Sequence, residues 1–115
     1  MLMIRIGMRQ DDIMVMDISK HAVARDQEDE LYRLVCAGVS AIAVGLCNAI
    51  DQLTKDQCLI DFLSDELDPG SLNHITIAVS KNSLDLQKIL KVGEIQLRTA
   101  AESYQNYIDF KITEV

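Results

Sequence analysis

Residues 2 to 9 alternate cleanly, with Leu2, Ile4, Ile6 and Met8 on one side and Met3, Arg5, Gly7 and Arg9 on the other. This period of two predicts a half-buried strand. Gln10, Asp11 and Asp12 supply a polar turn, and a second alternating run, Ile13 to Lys20, sets Met14, Met16 and Ile18 on the core side with Asp17 and Ser19 opposite. The two runs predict a hairpin. The stretch HAVARDQEDE, His21 to Glu30, has four acids and no sustained apolar period, which predicts a mobile surface loop or one weak helical turn. The period then becomes helical. Between about Leu31 and Leu53, Val35, Val39, Ile42, Leu46, Ile50 and Leu53 recur at steps of three and four, and Gly38, Ala41 and Gly45 gather on another side, where a sheet or partner helix would have room to approach. The pattern predicts a central, well-buried helix.

Cys58, Ile60 and Phe62 alternate with Leu59, Asp61 and Leu63 as a third strand, ended by the acidic turn SDELDPG with Pro69 and Gly70 at the break. A fourth strand, Leu72 to Val79, faces Ile75, Ile77 and Val79 inward and His74 and Thr76 outward. A second helix is predicted from about Ser83 to Gln105, capped by Asn82 and with Asp85 favourable to its dipole. Ile108, Phe110 and Ile112 make a short last strand. The order ββαββαβ predicts an α+β fold, a mostly antiparallel sheet with two helices packed on it.

At 115 residues, 49% of them apolar and 25% charged, with one Pro and five Gly, the chain reads as a single domain spanning residues 1–115, and its apolar fraction argues against disorder. The uncharged apolar run Leu34 to Cys47 falls short of the roughly 20 residues of a spanning helix, and no charged segment with a small-residue cleavage site opens the chain. No membrane partner and a cytoplasmic location are therefore expected. Eleven basic residues face eighteen acidic ones, a formal charge of −7 with no compensating basic cluster, so nucleic acid is a poor partner. Three cysteines at wide spacing, with no CxxC and no completing His, predict reduced thiols and no metal site. The scattered Tyr and Phe make no base-stacking platform.

Cys36 stands out in the opening turns of the first helix, where unpaired backbone N–H groups and the macrodipole favour a thiolate. His21 ends the second strand, and the loop between them is long enough to fold back and pair imidazole with sulfur, as a Cys/His nucleophile and base require. Spacing alone leaves a small buried hydrophobe as the alternative for Cys36. Ser40, four residues on, shares its helical face and either bonds a substrate or packs the helix. Cys47 and Cys58 read as core, His74 as an outward strand residue without a second ligand, and Met3, Met8, Met14 and Met16 as deformable core.

The words Lys20-His21-Ala22, then an acidic loop, then Val35-Cys36-Ala37-Gly38-Val39-Ser40 resemble the ribosomal-processing cysteine proteases called Prp, which read GHA, loop, then D-I-V-C-A-[AG]-V-S. The resemblance spans nearly the whole chain. It implies a homodimeric, cofactor-free cysteine endopeptidase, with Cys36 as nucleophile and His21 as base, removing an N-terminal extension from a large-subunit ribosomal protein. Lys20 stands where the family has glycine, and Arg33 stands where it has aspartate. Asp29 is the acid expected to orient the imidazole instead, and backbone N–H groups near Ala37 are expected to receive the oxyanion. The acidic stretch Asp26 to Glu30 is suited to a basic ribosomal tail. The rival expectation is a non-catalytic dimeric interaction module that holds a basic ribosomal or assembly partner.

Overall fold

The computed structural model describes residues 1–20, 29–65 and 68–115, with side chains described outside 64–73. The elements run β1 (Leu2–Arg9), β2 (Asp12–Lys20), α1 (Glu30–Leu53), β3 (Cys58–Asp65), β4 (Asp68–Val79), α2 (Leu84–Ser103) and β5 (Ile108–Glu114). They form one five-stranded sheet in the order β3-β4-β2-β1-β5, in which every neighbouring pair is antiparallel except β1 with β5. The expected α+β fold of order ββαββαβ is therefore the observed one.

The sheet buries one face, and both helices lie on it. Leu2, Ile4, Ile6, Met16, Ile18, Ile75 and Ile77 meet Val35, Val39 and Leu46 of α1 and Leu86, Leu90 and Leu97 of α2 in a single core. The opposite face carries polar partners: Arg5 Nη2 donates to Asp109 Oδ2 at 3.0 Å, and His74 Nε2 pairs with Asp17 Oδ1 at 2.5 Å. This is the usual division of an antiparallel sheet with one wet side. Gly7 lies on that side, and a Cβ there would come within 2.5 Å of Val15 and 2.8 Å of Val115.

Three expectations change in detail. The β1/β2 register shifts between Gly7 and Met8, so that Gly7 opposes Val15 while Met8 opposes Ile13. Met14 is the extra residue of this bulge, and Ile13 takes the core place assigned to it, because a bulge inverts the alternation beyond it. The third strand continues to Asp65 and β4 starts at Asp68, so Pro69 and Gly70 begin a strand instead of marking its break; on a strand's first residues Pro costs no ladder hydrogen bond. The cap of α2 is Ser83, whose Oγ accepts from Leu86 N–H at 3.1 Å. Asn82 instead accepts from Ser83 N–H and from Gln87, whose side-chain amide bonds both backbone groups of Ile13 and so ties α2 to β2.

The first helix is less enclosed than its pattern predicts. Leu34 and Leu53 are 70% and 69% exposed, and no atom lies near the position of a Cβ on Gly38 or Gly45. The close approach occurs elsewhere, at Gly93 of α2, where a Cβ would sit 2.5 Å from Leu46 Cδ2 of α1. At 24 residues α1 is also long and apolar enough, by length and composition, to cross a membrane, which the shorter run Leu34 to Cys47 did not show. Here one stripe of it, from Val35 to Ile50, packs in the core.

Burying Glu94, at 2% exposure, is balanced from its own helix: Lys91 Nζ lies 3.3 Å from Oε2 and Arg98 Nε 3.6 Å from Oε1. Three and four residues away, each about one turn along the helix, such charges are natural neighbours.

The helix crossing gives a direct test by urea unfolding of dilute protein. Gly93→Val should cost about 1–3 kcal/mol through overpacking against Leu46. Gly45→Ala, which meets nothing, should gain up to about 1 kcal/mol of helix propensity.

Candidate active site

Helix α1 begins where Asp29 caps it. Asp29 Oδ1 accepts from the N–H groups of Leu31 at 2.9 Å and Tyr32 at 3.3 Å, satisfying two of the donors every helix start leaves open. Its other oxygen, Oδ2, accepts from the hydroxyl of Tyr107 at 2.7 Å. The Tyr107 hydrogen bond, ahead of the backbone bonds from Tyr32 and Leu31, holds the Asp29 carboxyl below its ordinary range, and partial burial opposes it. Tyr107 also stacks at a tilt on Tyr32, with ring centroids 5.8 Å apart. Both oxygens of Asp29 are thus engaged in fastening the helix; the imidazole that it was expected to orient belongs to His21, outside the described residues.

This fastening fixes where the chain leaves and re-enters the described structure. Leu2 N–H donates to Tyr107 O at 2.9 Å, and Leu2 pairs with Lys20 at the end of β2. Lys20 and Asp29 are therefore held at the same end of the sheet, through Leu2 and Tyr107. His21 follows Lys20 directly and lies outside the described residues, as do the next seven. Tyr107 is the positioning residue that sequence reasoning missed. A lone Tyr between helix and strand gives no periodic signal.

Cys36 sits in the second turn of α1 and is half-buried, packed against the edge of the core. Ser40, also half-buried, continues the same flank one turn on, and Cys47 ends it, buried. Burial, and then the neighbouring Cys58, push the Cys47 thiol up; burial does the same to Cys58. Ala37 is exposed beside Cys36, but seven residues inside the helix its N–H belongs to the i to i−4 ladder. An oxyanion placed there would compete with that bond. Among the described residues no group of three His, Cys, Asp or Glu is placed to hold a metal. His74 lies on the helix-free face with Asp17 and Thr76, across the sheet from Cys36.

Comparison with known proteins gives one consistent result. The sequence pattern of the family described as cysteine protease Prp matches residues 1–109. The ribosomal processing protease Prp from S. aureus, solved with a substrate peptide, aligns with a TM-score of 0.76 at 26% identity, covering 97% of this chain and 99% of that one. Solved with a covalently linked product peptide, it gives 0.71 at 27% identity over the same shares. SMU.848 from Streptococcus mutans shares the fold, with a TM-score of 0.77 at 20% identity, over 100% of this chain and 96% of that one. No curated protein sequence matches.

Two measurements follow from the geometry. Iodoacetamide under native conditions should label Cys36 faster than Cys47 or Cys58, whose raised thiols hold little thiolate; equal slow labelling of all three contradicts this. Because the Asp29 carboxyl is held below 3.8, the stabilisation from Tyr107 is complete above that value and is lost as pH falls through the lowered one. Tyr107→Phe should accordingly destabilise the fold near neutrality, and its gap from wild type in denaturant midpoint should close in acid below 3.8.

Proposed function

The chain belongs to the Prp cysteine protease family, and on that premise we propose that it is a cytoplasmic cysteine endopeptidase that removes the N-terminal extension of a large-subunit ribosomal protein. Cys36 is the nucleophile and His21 the base. The observation that carries this reading is the placement of a half-exposed cysteine on α1 while the residues bounding His21's segment, Lys20 and Asp29, are fastened together at the start of the same helix. The S. aureus relative, solved with substrate and product peptides, is a ribosomal processing protease.

In the mechanism the Cys36 thiolate attacks the scissile carbonyl carbon, forming the S–C bond, and the C–N bond breaks as His21 passes its proton to the leaving amine. Water then attacks the thioester, His21 takes its proton, and the thiolate is restored. Since the Ala37 N–H is committed to the helix, we assign the oxyanion to the Ser40 hydroxyl, one turn on along the Cys36 flank. The formal charge of −7, with acids at Asp26, Glu28, Asp29 and Glu30, suits a basic ribosomal substrate. Where the family has glycine, Lys20 makes the approach to His21 stiffer.

The same reading makes the protein a homodimer through the outer face of its helices. Leu31, Leu34, Gly38, Ile42 and Tyr104 line a groove there, and Leu34 and Leu53 stay exposed. An apolar face of this extent is what a second copy would cover.

Cys36→Ser should leave the fold intact and abolish cleavage of a synthetic extended ribosomal-protein N-terminus, while Cys47→Ser should retain it. Persisting cleavage in Cys36→Ser, or none in wild type, overturns the assignment and favours the interaction module. Leu34→Lys should shift the sedimentation coefficient from dimer to monomer; an unchanged value places the interface elsewhere.

A further inference from the structure

The flank of α1 that carries Cys36 faces away from α2 and toward β3. Cys47, on that flank, is part of the core against which Cys58 at the start of β3 packs, whereas the opposite flank, with Ala41, Gly45 and Ala49, lines the groove shared with Ile89 and Gln96 of α2. From the Cys47 and Cys58 level the two elements run toward the same end of the sheet. Rising about 1.5 Å per residue, α1 places Cys36 about 16 Å from Cys47. At about 3.3 Å per residue, β3 places Phe62 about 13 Å from Cys58. The strand register agrees: Phe62, Ile75, Ile18, Ile4 and Phe110 form one row across the sheet, next to the end where Leu2 and Lys20 pair and Tyr107 holds the start of α1.

Phe62 points to the helix-covered face, as its partner Ile75 does, yet Ile75 is buried and Phe62 is 48% exposed. The helix ends its cover between them. Among the described residues β3 is the sheet edge, and no described strand pairs with its outer side. Natural edges are usually blunted by charge, by Pro or by a covering segment. From Cys58 to Leu63 the edge carries a single charge, Asp61, and Leu59 and Leu63 stand exposed on the other face.

We propose that the peptide substrate binds as an added strand along the free edge of β3, with a large apolar side chain next to the scissile bond packed on Phe62 and Ile60. This rests on the protease reading of Cys36 and names the residue that selects its substrate. Strand addition is a common mode of peptide capture, in which backbone bonds supply affinity and pockets for alternate side chains supply selectivity. The nucleophile one turn before Ser40, an unpaired edge and an uncovered aromatic ring at the same level give one extended chain a place to lie. Phe62 is thus a specificity determinant, chosen by position and not by chemistry of its own.

The test uses peptidyl chloromethyl ketones, in which the Cys36 sulfur displaces chloride, and intact mass to follow the rate. Acetyl-Ala-Ala-Phe chloromethyl ketone should alkylate Cys36 at least about tenfold faster than the acetyl-Ala-Ala-Asp analogue, the discrimination one apolar pocket supplies. Phe62→Ala should reduce that preference several-fold, Phe62→Tyr should keep it, and plain chloroacetamide should label Cys36 equally in all three proteins. N-methylation of the second Ala nitrogen or the Phe nitrogen, whichever faces the edge, should slow the phenylalanyl ketone. If both ketones outrun chloroacetamide but Phe62→Ala leaves their ratio unchanged, the β3 site is wrong and the protease reading stands. If neither outruns chloroacetamide, both fall. If Phe62→Ala instead turns a dimer into a monomer in sedimentation, a second copy occupies the edge and the proposal is overturned.

Discussion

One side-chain hydrogen bond fastens the start of the first helix to the segment that leads into the last strand. The Tyr107 hydroxyl, just before the last strand, donates to Asp29, which caps the first helix. It matters at this end of α1 because, of Glu30 to Leu34, Tyr32 is the one side chain buried in the core. The Tyr107 carbonyl meanwhile accepts from Leu2, so the same residue sets the first strand, the last strand and the helix to a common origin. The level of Cys36 above the sheet, and of the chain ends that bound His21, is measured from that origin.

Most of the architecture could be read from period alone, because burial on one face writes itself into every second or every third and fourth residue. Where that failed, a local event intervened. At Met14 a bulge inserted one residue and reversed the faces, which strict alternation cannot anticipate. At Asn82 and Ser83 two good caps stood side by side, and the choice fell to Ser83 because the Asn82 amide group was drawn into bonds with Ser83 and Gln87. The exposed flank of α1 misled for another reason. Apolar residues such as Leu34 and Leu53 keep a helical period whether they meet the core or an outside partner.

The candidate site was legible in a narrower sense. Cys36 and His21 came from a short run of residues matched to a family, not from physics, and spacing alone left Cys36 as core. Asp29 was singled out for the imidazole of His21, which lies outside the described residues; what the structure shows is the capping role that an acid just before a helix has available without a distant partner. Phe62 looked like any inward strand residue. Only the sheet order, which puts β3 at an edge, and the lateral reach of α1 reveal that its ring is uncovered.

The parallel pairing of β1 with β5 has a consequence for how the chain comes into being. Strand β1 is made first and finds β2 at once through a tight turn, but its other edge waits for residues more than a hundred positions later, from Ile108 onward. Closing so long a loop is slow relative to local pairing, and during synthesis it is impossible until those residues emerge. Throughout that interval Asp29 also lacks Tyr107. A nascent chain therefore carries a formed hairpin and an unfastened first helix, and the geometry around Cys36 waits on residues made about seventy positions after it.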